Sequence, residues 1–189
     1  MRAIVYEKSN SPDVLVLREL EKPVPNDNEV LIKIAAVSIN AADYRSMRMG
    51  TIPKRKIFGA DVAGRVESVG RSIKKFKVGD EVFGDLAGNG FGGFAEYVTA
   101  PEFLLALKPA SLSFIDTAAV PMAAVTALQG LRDLGKIRAG QEVLICGAGG
   151  GVGAFAVQLA KHFGAEVTAV CGPHNVEIVR SLGADRVID

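Results

Sequence analysis

The sequence is poor in metal-binding side chains and close to electroneutral. It has two histidines, His162 and His174, and two cysteines, Cys146 and Cys171, among 189 residues. No CxxC pair and no cluster of three ligands can be assembled from these, so neither a structural nor a catalytic zinc is expected. Both cysteines end apolar runs and read as small buried hydrophobes in a reducing cytoplasm, not as a disulfide framework. The formal net charge is +1, which gives no electrostatic reason to bind nucleic acid or an anionic membrane. No apolar run is long enough to span a bilayer. The N-terminal MRAIVYEKSN has no apolar h-region, so no secretory leader is expected and the protein is placed in the cytoplasm. There is no internal repeat and no low-complexity tract.

What is plentiful is aliphatic. Hydrophobic residues make up 49% of the chain, enough for a packed core in one or two domains. The first part reads as strands: residues 14–20 (VLVLREL) and 29–38 (EVLIKIAAVS), separated by the turn-forming PVPNDN. The segments VAGRVESV, DEVFG and FAEYVTA follow, punctuated by Gly70, Gly79, Gly84 and Gly88. Many short strands with glycine turns suggest a small β-barrel or sandwich. Near Ser111 the pattern changes. Ser113, with Asp116 three residues later, is a candidate helix cap. Pro121 breaks or restarts that helix, and MAAVTALQGLRDL reads as a helix ending at Gly135. The domains are expected to be residues 1–120 and residues 121–189.

The second part carries ICGAGGGVG at residues 145–153, with five glycines in seven residues. QEVLIC before it reads as a buried strand. After it, Val152, Phe155, Ala156, Leu159, Ala160 and Phe163 fall on one helical face, and Gly164 is a natural stop. EVTAVC at 166–171 is the next strand. A short helix capped by Asn175 leads to a third strand at 186–189. Strand, helix, strand, helix, strand is one half of a dinucleotide-binding fold. In that setting the glycines have a purpose: the chain turns tightly, side chains would block a pyrophosphate, and the helix N-terminus offers free N–H groups and a positive dipole end. Two registers fit the fingerprint, Ala148–Gly150–Gly153 and Gly149–Gly151–Ala154. The alternative is a glycine-rich turn that binds nothing. Of the expected cofactor-binding residues, the turn supplies Ala148, Gly149, Gly150, Gly151, Val152 and Gly153, and the chain after the second strand supplies Cys171, Gly172, His174 and Asn175.

The end of the second strand speaks to cofactor choice. An NAD site usually carries Asp or Glu there, for the ribose 2′-hydroxyl. Here the chain reads Cys171, Gly172, Pro173, His174, Asn175. With no carboxylate to repel a 2′-phosphate, NADPH is the expected cofactor. Gly172 leaves room, and His174 and Asn175 can donate hydrogen bonds, with Arg180 a weaker candidate.

Seven stretches, in order, are similar to one family: EVLIKIAAVSINAADY, FGADVAGRVESVG, VGDEVFG, GGFAEYV, AAVTALQGL, GAGGGVGAFAVQLAKHFGAEV and VRSLGADRVID. The chain resembles the zinc-independent branch of the medium-chain dehydrogenase/reductase superfamily, the quinone oxidoreductase and alkenal/enone reductase group. The resemblance implies a GroES-like β-rich domain followed by a Rossmann domain, with the active site in the cleft between them. It implies hydride transfer from NADPH to a small-molecule quinone or an activated C=C bond. Asn40 and Ala60 stand where zinc-dependent relatives carry metal ligands, and Thr126 stands where the family approaches the nicotinamide, which completes the expected cofactor-binding set. Without a Lewis acid, hydrogen-bond donors must hold the charge that develops on the substrate oxygen. The candidates are Asn40, Tyr44 and Arg45, on the loop after the EVLIKIAAVSIN strand. Asn40 satisfying loop backbone, Tyr44 packing and Thr126 packing within its helix are the structural alternatives. Asp43 and Asp61 are expected to orient loop backbone. Met47 and Met49 line an apolar pocket or a surface loop.

By the same resemblance the chain supplies only the first half of a doubly wound sheet. It is expected to be a fragment of a longer, homo-oligomeric reductase that binds cofactor weakly by itself. A relative that keeps the cofactor site as a structural or regulatory protein, without turnover, is the competing reading.

Overall fold

The structure, a computed structural model, describes residues 1–7, 15–53 and 55–189. The chain divides into two compact units, Met1–Met122 and Ala123–Asp189.

The first unit is antiparallel. β1 (Arg2–Tyr6) pairs with β2 (Leu15–Glu19) as a two-stranded ribbon. The main sheet holds β3 (Glu29–Val37), β4 (Asp61–Val69), β5 (Glu81–Asp85), β6 (Tyr97–Pro101) and β7 (Leu105–Leu107) in the order β6-β3-β4-β5-β7. Its core gathers Val30, Ile32, Val62, Val66, Val82 and Val98, all essentially excluded from water. These are β-branched residues, which suit a pleated, half-buried surface. A second cluster joins Tyr6, Met47 and Phe58. There the Phe58 ring meets Tyr6 and Phe91 edge to face, with centroids 5.4 and 5.3 Å away.

The second unit is parallel. β8 (Glu142–Cys146), β9 (Glu166–Val170) and β10 (Arg186–Ile188) lie in the order β10-β9-β8. α4 (Gly151–His162) links β8 to β9, and α5 (Val176–Ser181) links β9 to β10. Gly164, at φ 79°, ends the run after α4 in the left-handed conformation that a side chain would strain. Among the described residues β8 pairs only with β9, and Leu144 on it is 62% exposed. The architecture is thus an antiparallel β-rich unit followed by a parallel α/β unit of Rossmann type.

Several sequence expectations need correction. The expected loop holding Tyr44 and Arg45 is a helix, α1 (Ala41–Arg48). The overlooked signal was Asn40 followed three residues later by Asp43: the Asn40 N–H donates to Asp43 Oδ2 at 2.7 Å. Met47, expected in a pocket or surface loop, is core, whereas Met49 is 77% exposed. The strands β1 and β7 had not been anticipated, and Val14, expected to open a strand, lies outside the described residues. The helix after Pro121 is α only through Leu128 (α3, Pro121–Leu128) and then winds as a π-helix over Gln129–Leu134. Ser113 caps as expected: its Oγ accepts from Asp116 N–H at 3.1 Å, opening α2 (Phe114–Ala118). On α4 the buried stripe is Gly153, Ala156, Val157 and Ala160, while Val152 is 43% exposed. Asn175 makes no side-chain cap, because the chain enters α5 through a 3-10 turn at Pro173–Asn175 that puts Asn175 already in a helical conformation. Cys171 is buried, but Cys146 is exposed.

Core position should govern stability. Phe58→Ala, at a fully buried aromatic junction, is expected to lower the unfolding free energy by about 3–5 kcal/mol. Val24→Ala, at a site 82% exposed, should change it by less than about 0.5 kcal/mol. Urea denaturation of the two variants checks this, and equal losses would contradict the core assignment.

Candidate functional site

The glycine-rich turn lies between β8 and α4, and not all of its five glycines are required by the chain's own geometry. Ala148 is fully buried, and its N–H donates to the Val170 carbonyl at 2.9 Å, which pins the turn to β9. The Gly150 N–H donates to the Gly147 carbonyl at 3.0 Å. At Gly153 a Cβ would sit 2.2 Å from the Gly147 carbonyl oxygen and 2.7 Å from Ala148 Cα, so helix and turn touch backbone to backbone. At Gly149 a Cβ would meet the Asn175 carboxamide at 2.6 Å. Gly150 and Gly151 differ. Added Cβ atoms there would meet only the Gly147 carbonyl at 3.4 Å and Ala123 Cβ at 3.8 Å. The protein's own packing gives no reason for glycine at these two exposed positions, and an anion brought against the backbone does. Close packing at Gly153 and openness at Gly150 match the register Ala148–Gly150–Gly153.

The same place offers donors. The first helical bond of α4 runs from Ala154 N–H to the Gly150 carbonyl at 2.8 Å. The N–H groups of Gly151, Val152 and Gly153 therefore have no acceptor within the helix. They stand at the positive end of a twelve-residue helix with no acidic residue in its first turn. This cradle fits a dinucleotide pyrophosphate.

Past β9, Cys171 is buried and Gly172 faces open space. His174 is exposed, and Asn175 lies against Gly149, so the turn after β9 borders the glycine turn. Thr126 is exposed on α3, three residues beyond the Ala123 that faces Gly151.

The candidate catalytic residues lie in the first unit. Asn40 does not present a free amide. Its Nδ2 donates to Ser38 Oγ and to Asp61 Oδ2, both at 3.0 Å, leaving no hydrogen for a substrate oxygen. Tyr44 is 43% exposed, and the Arg48 guanidinium lies 5.8 Å from its ring centre. Arg45 is exposed. Ala60 is fully buried and carries no ligating atom. Among the described residues, no three His, Cys, Asp or Glu side chains gather as a metal site.

Asp43 and Asp61 orient backbone, as expected, and Asp61 also holds two side chains. Asp43 Oδ1 accepts from the N–H groups of Gly59 and Ala60 at 3.1 and 3.2 Å. Burial pushes its pKa up against these hydrogen bonds. Asp61 is wholly buried. Its Oδ2 accepts from Ser38 Oγ and Asn40 Nδ2 and its Oδ1 from Met122 N–H, all at 3.0 Å. Desolvation outweighs those three donors and, with Asp85 nearby, raises its pKa to about 6. The sequence signal was an acid inside the apolar run FGADVAG. An apolar groove of 590 Å³ lies in the same unit, lined by Leu17, Ile34, Val37, Ile39 and Phe94 among others. Its charged members, Arg2 and Glu96, pair with each other at 2.8 Å.

A β-rich unit joined to a parallel α/β unit with a glycine turn at a helix N-terminus is the layout of dinucleotide-dependent dehydrogenases. Comparison with known proteins agrees. Residues 26–110 match the alcohol dehydrogenase GroES-like domain, and residues 151–189 match the zinc-binding dehydrogenase family. A 2-methylene-furan-3-one reductase of Solanum lycopersicum is 43% identical, over 100% of this chain and 52% of its own length. An NADPH-dependent alkenal/one oxidoreductase of Arabidopsis thaliana is 39% identical, over 100% of this chain and 52% of its own. The structure of the quinone oxidoreductase from Coxiella burnetii superposes with TM-score 0.92 at 32% identity, covering 100% of this chain and 62% of that one. The chain matches the medium-chain dehydrogenase/reductase superfamily over both of these stretches. It spans about half the length of the curated relatives it matches. The cytoplasmic placement is overturned: the Arabidopsis thaliana relative is named chloroplastic, as are quinone oxidoreductases of Triphysaria versicolor and Spinacia oleracea. The absence of an h-region, on which that placement rested, does not distinguish cytoplasm from plastid.

Two outcomes follow. Gly153→Ala drives a Cβ into backbone and should lower stability by about 2–4 kcal/mol, while Gly150→Ala should cost less than about 1 kcal/mol. Urea midpoints decide this, and equal losses would contradict the packing described. The second concerns pH. An acid with a folded-state pKa near 6, above its unfolded 3.8, binds its proton more tightly when folded. Its contribution to stability therefore rises as pH falls from about 6 toward 4, by about 1 kcal/mol between pH 7 and pH 5 for Asp61 alone. Asp61→Asn should remove that increment, and an unfolding free energy with the same pH slope in both proteins would contradict it.

Proposed function

We propose that this chain is part of an NADPH-dependent reductase that passes hydride to a small-molecule quinone or to an activated C=C bond of an enone or enal, without zinc. The observation that carries the reading is the pair Gly150 and Gly151, glycines that packing does not require, in front of the free N–H groups of α4. When bound, the nicotinamide cofactor supplies the hydride. The N–H groups of Gly151, Val152 and Gly153 hold its pyrophosphate, and the α4 dipole adds to that attraction. The open space at Gly172 admits a 2′-phosphate, and His174 and Asn175 donate to it. Thr126 contacts the nicotinamide side. Tyr44, half-exposed, donates a hydrogen bond to the oxygen that gains charge, and solvent supplies the proton. Asn40 positions the loop and does not donate, since both its amide hydrogens are engaged. The absence of zinc rests on side-chain chemistry: Ala60 has no donor atom, and the Asn40 amide is held by Ser38 and Asp61. The family name of the Arabidopsis thaliana relative supports the cofactor and substrate class.

The cofactor half is tested by dissociation constants from quenching of intrinsic or cofactor fluorescence. NADPH should bind more tightly than NADH, and Gly172→Asp should weaken NADPH by about tenfold or more through like-charge repulsion, with little effect on NADH. Tighter binding of NADH by the unaltered protein would refute the preference. The chemical half is tested by NADPH oxidation with a panel of quinones and enals. Tyr44→Phe should lower kcat by about tenfold or more where Tyr44 donates to the oxyanion. Cofactor binding with no turnover on the whole panel would favour a structural or regulatory role. Metal analysis of protein purified without an affinity tag should find no stoichiometric zinc.

A further inference from the structure

Asp61 lies inside the apolar run FGADVAG, flanked by Ala60 and Val62, and all three are wholly buried. It forms no ion pair among the described residues, although a buried carboxylate is costly without compensation. An apolar residue would pack a β-strand at that point with less desolvation. What the carboxylate does instead is accept three hydrogen bonds from two separate parts of the chain. Ser38 Oγ and Asn40 Nδ2 come from the segment between β3 and α1. Met122 N–H comes from the first turn of α3. That N–H is one of the donors a helix start leaves unpaired, so Asp61 acts on α3 as a cap supplied from another element, with the sign that the helix dipole favours. α3 is also where the chain passes from the first unit, which ends at Met122, into the second, which begins at Ala123.

We propose that Asp61 is a positioning residue that holds the Asn40 segment and the Met122 backbone, at the start of α3, in fixed relation. A single carboxylate thus fixes the segment that leads into Tyr44 and the residue at which α3 begins. Serine and asparagine at positions 38 and 40 match this role, since each can donate to a carboxylate while Ser38 also accepts from Asn40 at 3.0 Å. The consequence for turnover rests on the reductase reading above, whereas the positioning itself does not.

The test uses Asp61→Asn and Ser38→Ala in the purified protein at about pH 7.5, with two readouts. The first is NMR. In Asp61→Asn, hydrogen exchange at the Met122 N–H should quicken by about tenfold or more, because a bond to a charged acceptor is weakened, and the Asn40 side-chain amide signals should shift. Exchange in the strand pair β3–β4 should keep its rate. In Ser38→Ala, the Asn40 amide signals should shift while Met122 stays protected. The second readout is steady-state NADPH oxidation, where Asp61→Asn should lower kcat by about tenfold with the quinone KM within about twofold. Unchanged Met122 exchange in a folded Asp61→Asn protein overturns the proposal, as does an Asn40 signal insensitive to Ser38→Ala, the arm that decides if Asp61→Asn does not fold. Altered Met122 exchange with undiminished kcat overturns the role in turnover. An unaltered protein with no turnover sinks the reductase reading alone, and the NMR arms still decide the positioning.

Discussion

The constraint on which the second unit depends is the backbone contact between Gly153 and the Gly147–Ala148 segment. A helix following a parallel strand has to start close to the strand's end, or its apolar face cannot lie over the sheet. Here the start is so close that no Cβ fits at Gly153. Ala156, Val157 and Ala160 then come down against Ile145, Val167 and Ala169 in one core. The same approach aims the first-turn N–H groups of α4 outward, past the open positions Gly150 and Gly151. Packing closes one part of this turn, at Gly153, and leaves another open, at Gly150 and Gly151, where the proposed function puts the anion.

In the first unit the corresponding organisers are Asp43 and Asp61, two buried acids on neighbouring segments. Asp43 gathers the N–H groups of Asn40, Gly59 and Ala60. Asp61 gathers Ser38, Asn40 and Met122. Both are pushed toward the neutral form mainly by burial, and Asp85 adds to the push on each. The sheet core of β-branched residues supplies the stability that offsets the cost of burying these groups.

The strands and the βαβ order were legible in the sequence because period and turn chemistry agree there: β3, β4, β8, α4 and β9 fall within a residue or two of their expected bounds. α1 was not legible, because Ala41–Arg48 is short and polar and its start signal, Asn40 with Asp43, lacks a hydrophobic stripe to announce it. The π-helical turn at Gln129–Leu134 likewise has no periodic signature, though its glycines at 130 and 135 are joined by a 2.8 Å bond. The glycine turn could be found from sequence, but not which glycines packing requires and which it leaves open, since that depends on what each Cβ would meet. The side-chain network of Asp61 joins residues up to 61 positions apart and has no local trace at all.

The central claim is that the N-terminus of α4 receives the pyrophosphate of NADPH. Amide chemical shifts recorded while NADPH is added to the isotope-labelled protein test it most directly. The account predicts that the largest changes fall on Gly150, Gly151, Val152 and Gly153, with smaller ones at Gly172 and His174. Saturable binding that leaves those six amides unmoved, or no binding at millimolar cofactor, would contradict it.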